Sequence, residues 1–323
     1  MHDCSTDIFL NECAGETSMG ELLEKGLTRR NAPVDWTLSD SVLDRMRAYN
    51  AYHTLQPVTL EGLFERAVWT VLSPQEYYEK QSLTTAKIIH YGLMSPEAIL
   101  ENRDKLKLRR ALGGVQGPNQ KRERIVQLAE WWYQSGIPKT VEHVSKMNWP
   151  AWTPNGSKRQ VFAKSLRDLI ADETPGMSLK CASMWLGHTG VPYFPPIDIW
   201  MVRFLNDTYK MGFREADYVT TGQLPSKEYA VAENLLAKFA RKKHLTPYDC
   251  QVALWVAATG WQKQDFIDVR KVAEQMNAQQ QFYSHDEIEL MKPKKSREPE
   301  TVRKKQVKQK AVVDVRQKPL FRH

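Results

Sequence analysis

The chain has 323 residues, 41% of them hydrophobic, with ten tryptophans and a mean hydropathy of −0.55. That is enough material for one large or two smaller cores, and it excludes a wholly disordered chain, which carries few large aromatics. No apolar run reaches the roughly 18 residues that span a bilayer, and the first residues, with Asp3, Asp7 and Glu12, lack a basic-then-apolar leader. An intracellular protein is expected. The net charge of +8 is concentrated: residues 291–323 hold twelve Lys and Arg against three Asp and Glu, so the remainder is close to neutral.

Residues 1–35 show no sustained period and read as a loosely ordered lead-in. From Leu38 the pattern turns helical. Ser39 or Asp40 is placed to cap a helix carrying Val42, Leu43 and Met46, and a second helix carries Leu60, Leu63, Phe64, Ala67, Val68, Val71 and Leu72. A third presents Ile125, Leu128 and Trp132 on one face and closes near Gly136; a later one presents Val231, Leu235 and Phe239. Connectors rich in Gly, Pro and Asn cover residues 113–119, 149–157 and 190–196. Alternating apolar runs are few and no Asn-Gly hairpin appears, so the expected fold class is all-α over residues 36–285, in two helical lobes. Residues 286–323 read as a basic, disordered tail.

Two short stretches carry the chemistry. Thr174-Pro175-Gly176-Met177-Ser178 is a turn feeding directly into the apolar helix that begins Leu179-Lys180-Cys181. Such a turn offers backbone N–H groups at a helix N-terminus, a site for a DNA phosphate. Lys180 falls in the first turn, the end of a helix whose dipole favours negative rather than positive charge. Eighteen residues on, Pro195-Pro196-Ile197-Asp198 sets an acid at the entry of another apolar helix, the position of an ordinary N-cap. Taken singly, a snorkelling lysine and a capping aspartate are unremarkable.

Together these residues resemble the helix-hairpin-helix DNA glycosylases, the group containing endonuclease III and the 8-oxoguanine DNA glycosylases. That family has a hairpin of the form Pro-Gly-x-Gly-x-Lys and then a phrase like Val-Asp-x-x-x-x-Arg at about the interval found here. Gly176, Lys180, Asp198 and Arg203 match; Ser178 stands where the second hairpin glycine is expected. Val71-Leu72-Ser73-Pro74-Gln75 resembles the family's Leu-Leu-Ser-x-Gln phrase, and residues 112–121 resemble its second DNA-contacting loop, with Val115 or Gln116 near the intercalating wedge and Lys121 beyond it. No cluster of four cysteines follows the core; Cys4, Cys13, Cys181 and Cys250 read as free thiols, and the eight histidines show no ligand spacing.

The resemblance implies a two-lobed helical fold with a helix-hairpin-helix motif at the cleft between the lobes. It implies a bifunctional glycosylase and AP lyase of base excision repair, with Lys180 attacking C1′, Asp198 assisting, and β-elimination nicking the strand. Gly176, Ser178, Val115, Gln116, Lys121 and Arg203 are the implied DNA contacts. For the base, Gln251 and Trp255 lie four apart on one helix face, as a Gln and an aromatic do in 8-oxoguanine glycosylases, with Asp249 and Gln75 as further contacts. The implied partner is double-stranded DNA with a damaged base, bound by a monomer without metal or cofactor. Two other readings stay open: a glycosylase-fold enzyme of a phage-type thymine hypermodification pathway, and a non-catalytic DNA-binding module.

Overall fold

A computed structural model describes residues 34–282 apart from 55–56, 75, 77, 104, 155, 216–217, 219–222 and 262–266, with side chains to residue 278. The expected N-terminal lead-in, save its last two residues, and the basic tail lie outside the described residues, as does Gln75. Residues up to Asn277 form one compact unit, and the second unit, from Ala278, contributes only the end of the last helix to the description.

Local sequence explains where the helices start. Helix α1 (Asp40–His53) is capped by Ser39, whose Oγ accepts the N–H of Val42, and α2 (Leu60–Leu72) by Thr59. Every residue from Leu63 to Leu72 is buried, so α2 runs through the middle of the packing rather than along its surface. Around it follow α3 (Tyr78–His90), the short α4 (Pro96–Glu101) and α5 (Leu106–Ala111), α6 (Pro118–Gln134) and α7 (Ile137–Ser145). Then come α8 (Lys158–Glu173), α9 (Leu179–His188), α10 (Ile199–Tyr209), α11 (Ser226–Lys242), α12 (Pro247–Thr259) and α13 (Val269–Phe282). The described residues contain no strand, as the all-α reading requires.

The buried side chains gather in three main groups. One joins α2 to α4–α9 through Phe64, Ile125, Leu128, Trp132 and Trp185. Another joins α10, α11 and α12 through Phe204, Tyr229, Leu236 and Leu254. The third joins α1, α3, α12 and α13 through Met46, Tyr49, Tyr78 and Val252. The connector at 149–157 is not a free insert: Trp149 packs edge-on against Tyr193 at 5.5 Å, and the Tyr193 hydroxyl donates to the Pro150 carbonyl at 2.6 Å. On α11 the buried face is Tyr229, Ala232, Leu236 and Ala240, with Val231 turned to solvent at 44% exposure. Of the expected stripe, Leu235 and Phe239 pack against this core and Val231 does not.

Candidate active site

Helix α9 is fixed before its N-terminus does anything else. Trp185 is fully buried and its indole N–H donates to the Leu63 carbonyl of α2 at 3.0 Å, a contact whose loss by truncation costs about 3–5 kcal/mol. The turn ahead of α9 depends on Gly176, at φ 77°, where an added Cβ would also lie 3.0 Å from the Arg124 side chain. Ser178, by contrast, is extended at φ −95° and needs no glycine; its Oγ accepts the Cys181 N–H and caps the helix. Lys180 is the second residue of α9 and leaves its first turn half-buried.

Asp198 caps α10, one carboxylate oxygen accepting the Met201 N–H at 3.0 Å. Burial raises its pKa above the ordinary carboxylate value, while the nearby Lys180 charge and the backbone N–H groups of the cap pull it down. The segment ahead of it is tied from behind: the Ile197 N–H donates to the Tyr229 hydroxyl at 3.3 Å, and that hydroxyl lies 3.5 Å from Ser183 Oγ on α9. One phenol thus bridges the helix of Lys180 and the backbone next to Asp198.

Lys180 and Asp198 line a single cleft of about 360 Å³, and Gln251 and Trp255 of α12 line it with them. Gln251 is 6% exposed, and Trp255 is half-buried, packing on its inner side against the core while reaching the cleft. Arg203 reaches the same cleft, its Nε donating to Glu215 at 2.9 Å and its guanidinium lying 5.0 Å from the Trp200 ring centre. Gln116 is exposed and lines the cleft, and its backbone N–H donates to Glu76 at 2.8 Å.

Other expectations fare differently. Val115 is 7% exposed and belongs to the core around α2, so it is not free to act as a wedge. Lys121 is no open phosphate contact: its ammonium is buried, donating to the Leu72 carbonyl at 2.9 Å and pairing with Glu76 at 3.1 Å. Asp249 lies outside the cleft lining, where it accepts from Asn50 at 2.7 Å and from Thr246 at the start of α12. Sequence reasoning missed the aromatic lining, Tyr49, Trp69, Tyr78, Trp200, Tyr218 and Trp261, together with Glu76. For Tyr49 the signal was present as the stripe Val42, Met46, Tyr49, His53, which shows that a face is buried but not what it faces. Among the described residues no three His, Cys, Asp or Glu side chains gather as a metal site, and no helix is long and apolar enough to cross a membrane.

No family model and no curated protein matches the chain. Solved structures do. An 8-oxoguanine glycosylase/lyase from Methanocaldococcus jannaschii, in complex with DNA containing 8-oxoguanine, superposes with a TM-score of 0.50 at 18% identity, over 74% of this chain and 98% of that one. The chain has the fold of the 8-oxoguanine DNA glycosylases. A second structure of the Methanocaldococcus jannaschii 8-oxoguanine DNA glycosylase has a TM-score of 0.49 at 19% identity, covering 74% of this chain and 94% of that one. The Thermotoga maritima 8-oxoguanine DNA glycosylase has a TM-score of 0.46 at 20% identity, with 74% and 96% covered.

Proposed function

We propose that the protein is a bifunctional DNA glycosylase and AP lyase that removes an oxidised purine, 8-oxoguanine, from duplex DNA. The observation that carries this is the meeting in one cleft of an amine, a carboxylate, an amide and an indole: Lys180, Asp198, Gln251 and Trp255. A base is reached only after it leaves the duplex stack, which costs a few kcal/mol and calls for a pocket of this kind. The Lys180 amine attacks C1′, the bond from C1′ to the base nitrogen breaks with its electron pair, and the departing base takes up a proton. Asp198, ionised, stabilises the positive charge that develops on the sugar and accepts the proton lost by the lysine. The C1′–O4′ bond then breaks as the nitrogen lone pair forms the imine and O4′ takes up a proton; the imine acidifies C2′, and loss of that proton expels the 3′ phosphate. Trp255 stacks on the base and Gln251 reads its edge. The turn at Gly176 and Ser178 receives a phosphate on the N-terminus of α9, as part of a helix-hairpin-helix motif formed with α8. The basic residues of 291–323 add a salt-sensitive tether to DNA.

Borohydride trapping tests the reading. Wild-type protein is expected to give a covalent adduct with a duplex carrying 8-oxoguanine and with one carrying an abasic site. Lys180→Gln is expected to give neither, with at least a hundredfold loss. No wild-type adduct with any lesion sinks the lyase assignment, and undiminished trapping by Lys180→Gln sinks the nucleophile.

A further inference from the structure

Tyr49 is 8% exposed, yet it is part of the cleft lining. Its ring is held on several sides: the His53 ring lies 4.1 Å away, Trp255 5.5 Å and Trp261 6.1 Å, centre to centre. Nothing in that packing needs a hydroxyl. Phenylalanine would fill the same volume, and a buried phenol ordinarily finds a hydrogen-bond partner within the protein. The Tyr49 hydroxyl has none among the described residues, whereas the tyrosines at 52, 193 and 229, elsewhere in the fold, use theirs on Val269, Pro150 and Ile197. Burial raises the pKa of this phenol, the Arg66 charge lowers it and the Asp198 charge raises it, and the balance holds the group protonated. A neutral phenol at the wall that holds Trp255, facing a cavity with Asp198 and Gln251, is an O–H donor lacking its acceptor.

We infer that Tyr49 is a specificity-determining residue whose hydroxyl donates a hydrogen bond to a carbonyl oxygen of the base stacked on Trp255, opposite the edge read by Gln251. The inference rests on the glycosylase reading. 8-Oxoguanine carries a carbonyl oxygen on each of its rings, whereas guanine has a C–H in place of the second, so a donor set against that oxygen distinguishes the oxidised base from the parent one. A phenol also suits the task because its donor is rigidly directed, with no flexible stem to order on binding. Removing a donor from a desolvated contact leaves the ligand's acceptor unsatisfied, which amounts to roughly ten- to hundredfold in affinity or rate.

The test is Tyr49→Phe, which deletes one oxygen and keeps the packing, checked by an unchanged thermal midpoint. Two readouts are compared: single-turnover excision from an 8-oxoguanine duplex, and borohydride trapping on a duplex with a preformed abasic site, which has no base to read. The ratio of excision to abasic trapping is expected to fall roughly ten- to hundredfold. A second measurement does not depend on catalysis. In the Lys180→Gln background, preference for an 8-oxoguanine duplex over a guanine duplex, read by equilibrium binding, is expected to fall by a similar factor on adding Tyr49→Phe. An unchanged ratio and unchanged preference overturn the inference, as does an equal loss in both reactions, which would assign the hydroxyl to Asp198 chemistry. Failure of the glycosylase reading looks different: the wild type traps neither substrate.

Discussion

One carboxylate oxygen of Asp198 accepts a backbone N–H of α10, while the same group sits where burial raises its pKa. The two facts pull in opposite directions, because a cap stabilises the helix and a desolvated charge does not. With the folded pKa raised, the protonated form is the favoured one in the fold. The associated stability is fully present below the ordinary value of 3.8 and is lost as pH rises through the higher folded value, so at neutral pH the ionised carboxylate costs stability. Asparagine keeps the cap and discards the charge. Asp198→Asn is therefore expected to abolish excision and yet unfold at a thermal midpoint at or above wild type, a gain of about 0.5–2 kcal/mol. A clear fall in the midpoint would mean that attraction between Asp198 and Lys180 outweighs the burial penalty.

At the scale of elements, the cleft exists because α9 and α12 approach closely enough to bring Lys180 and Gln251 to one cavity. Gly187 permits the approach: a Cβ there would stand 2.1 Å from the Tyr248 ring of α12. Gly187→Ala is expected to cost about 1–3 kcal/mol by overpacking and to lower excision as well, since Tyr248 lines the cleft. Adding Tyr248→Leu should recover much of the unfolding midpoint, a coupling that two independent sites would not show. This contact also marks the limit of sequence reading. The helices themselves were legible, because period and caps are local: Ser39, Thr59 and Ser178 each accept the N–H three residues on, from Val42, Gly62 and Cys181. That Lys180, Asp198, Gln251 and Trp255 would come to one cleft was legible through their order and spacing. Gly187 was not, since its meaning lies in a ring 61 positions away, and nor was Tyr49, whose surroundings come from α3, α9, α12 and Trp261 beyond it. The burial of Val115 and Lys121 was not legible for the same reason: the loop pattern resembles a DNA contact, but the hydrophobic environment of Val115 and the carboxylate of Glu76 are supplied by other elements.

At the scale of the whole molecule, acid stability hinges on two histidines enclosed where α1, α2, α3, α9 and α12 meet. His53 and His188 have no exposed surface and stack at 5.5 Å, with both ring nitrogens of His188 and Nδ1 of His53 unpartnered. The groups facing them are Tyr49, Tyr52, Tyr78, Trp69, Tyr248 and the buried guanidinium of Arg66, with no carboxylate among these described residues to welcome a second positive charge. Desolvation first, then the His188 charge and the Arg66 charge for His53 and the Arg66 charge for His188, holds both imidazoles neutral well below the ordinary 6.5. A depressed folded pKa means that the unfolded chain takes up protons that the folded one refuses. The stability is complete above 6.5 and is lost as pH falls below it toward the folded values, at up to about 1.4 kcal/mol per pH unit for each histidine. Urea unfolding followed from pH 8 to pH 5 should show a plateau and then a steep decline. His188→Leu, which exchanges an unsatisfied ring for an aliphatic side chain in an aromatic setting, should roughly halve that slope while leaving stability at pH 8 at or above wild type. A slope unaltered by the substitution would assign the acid sensitivity to groups outside this cluster.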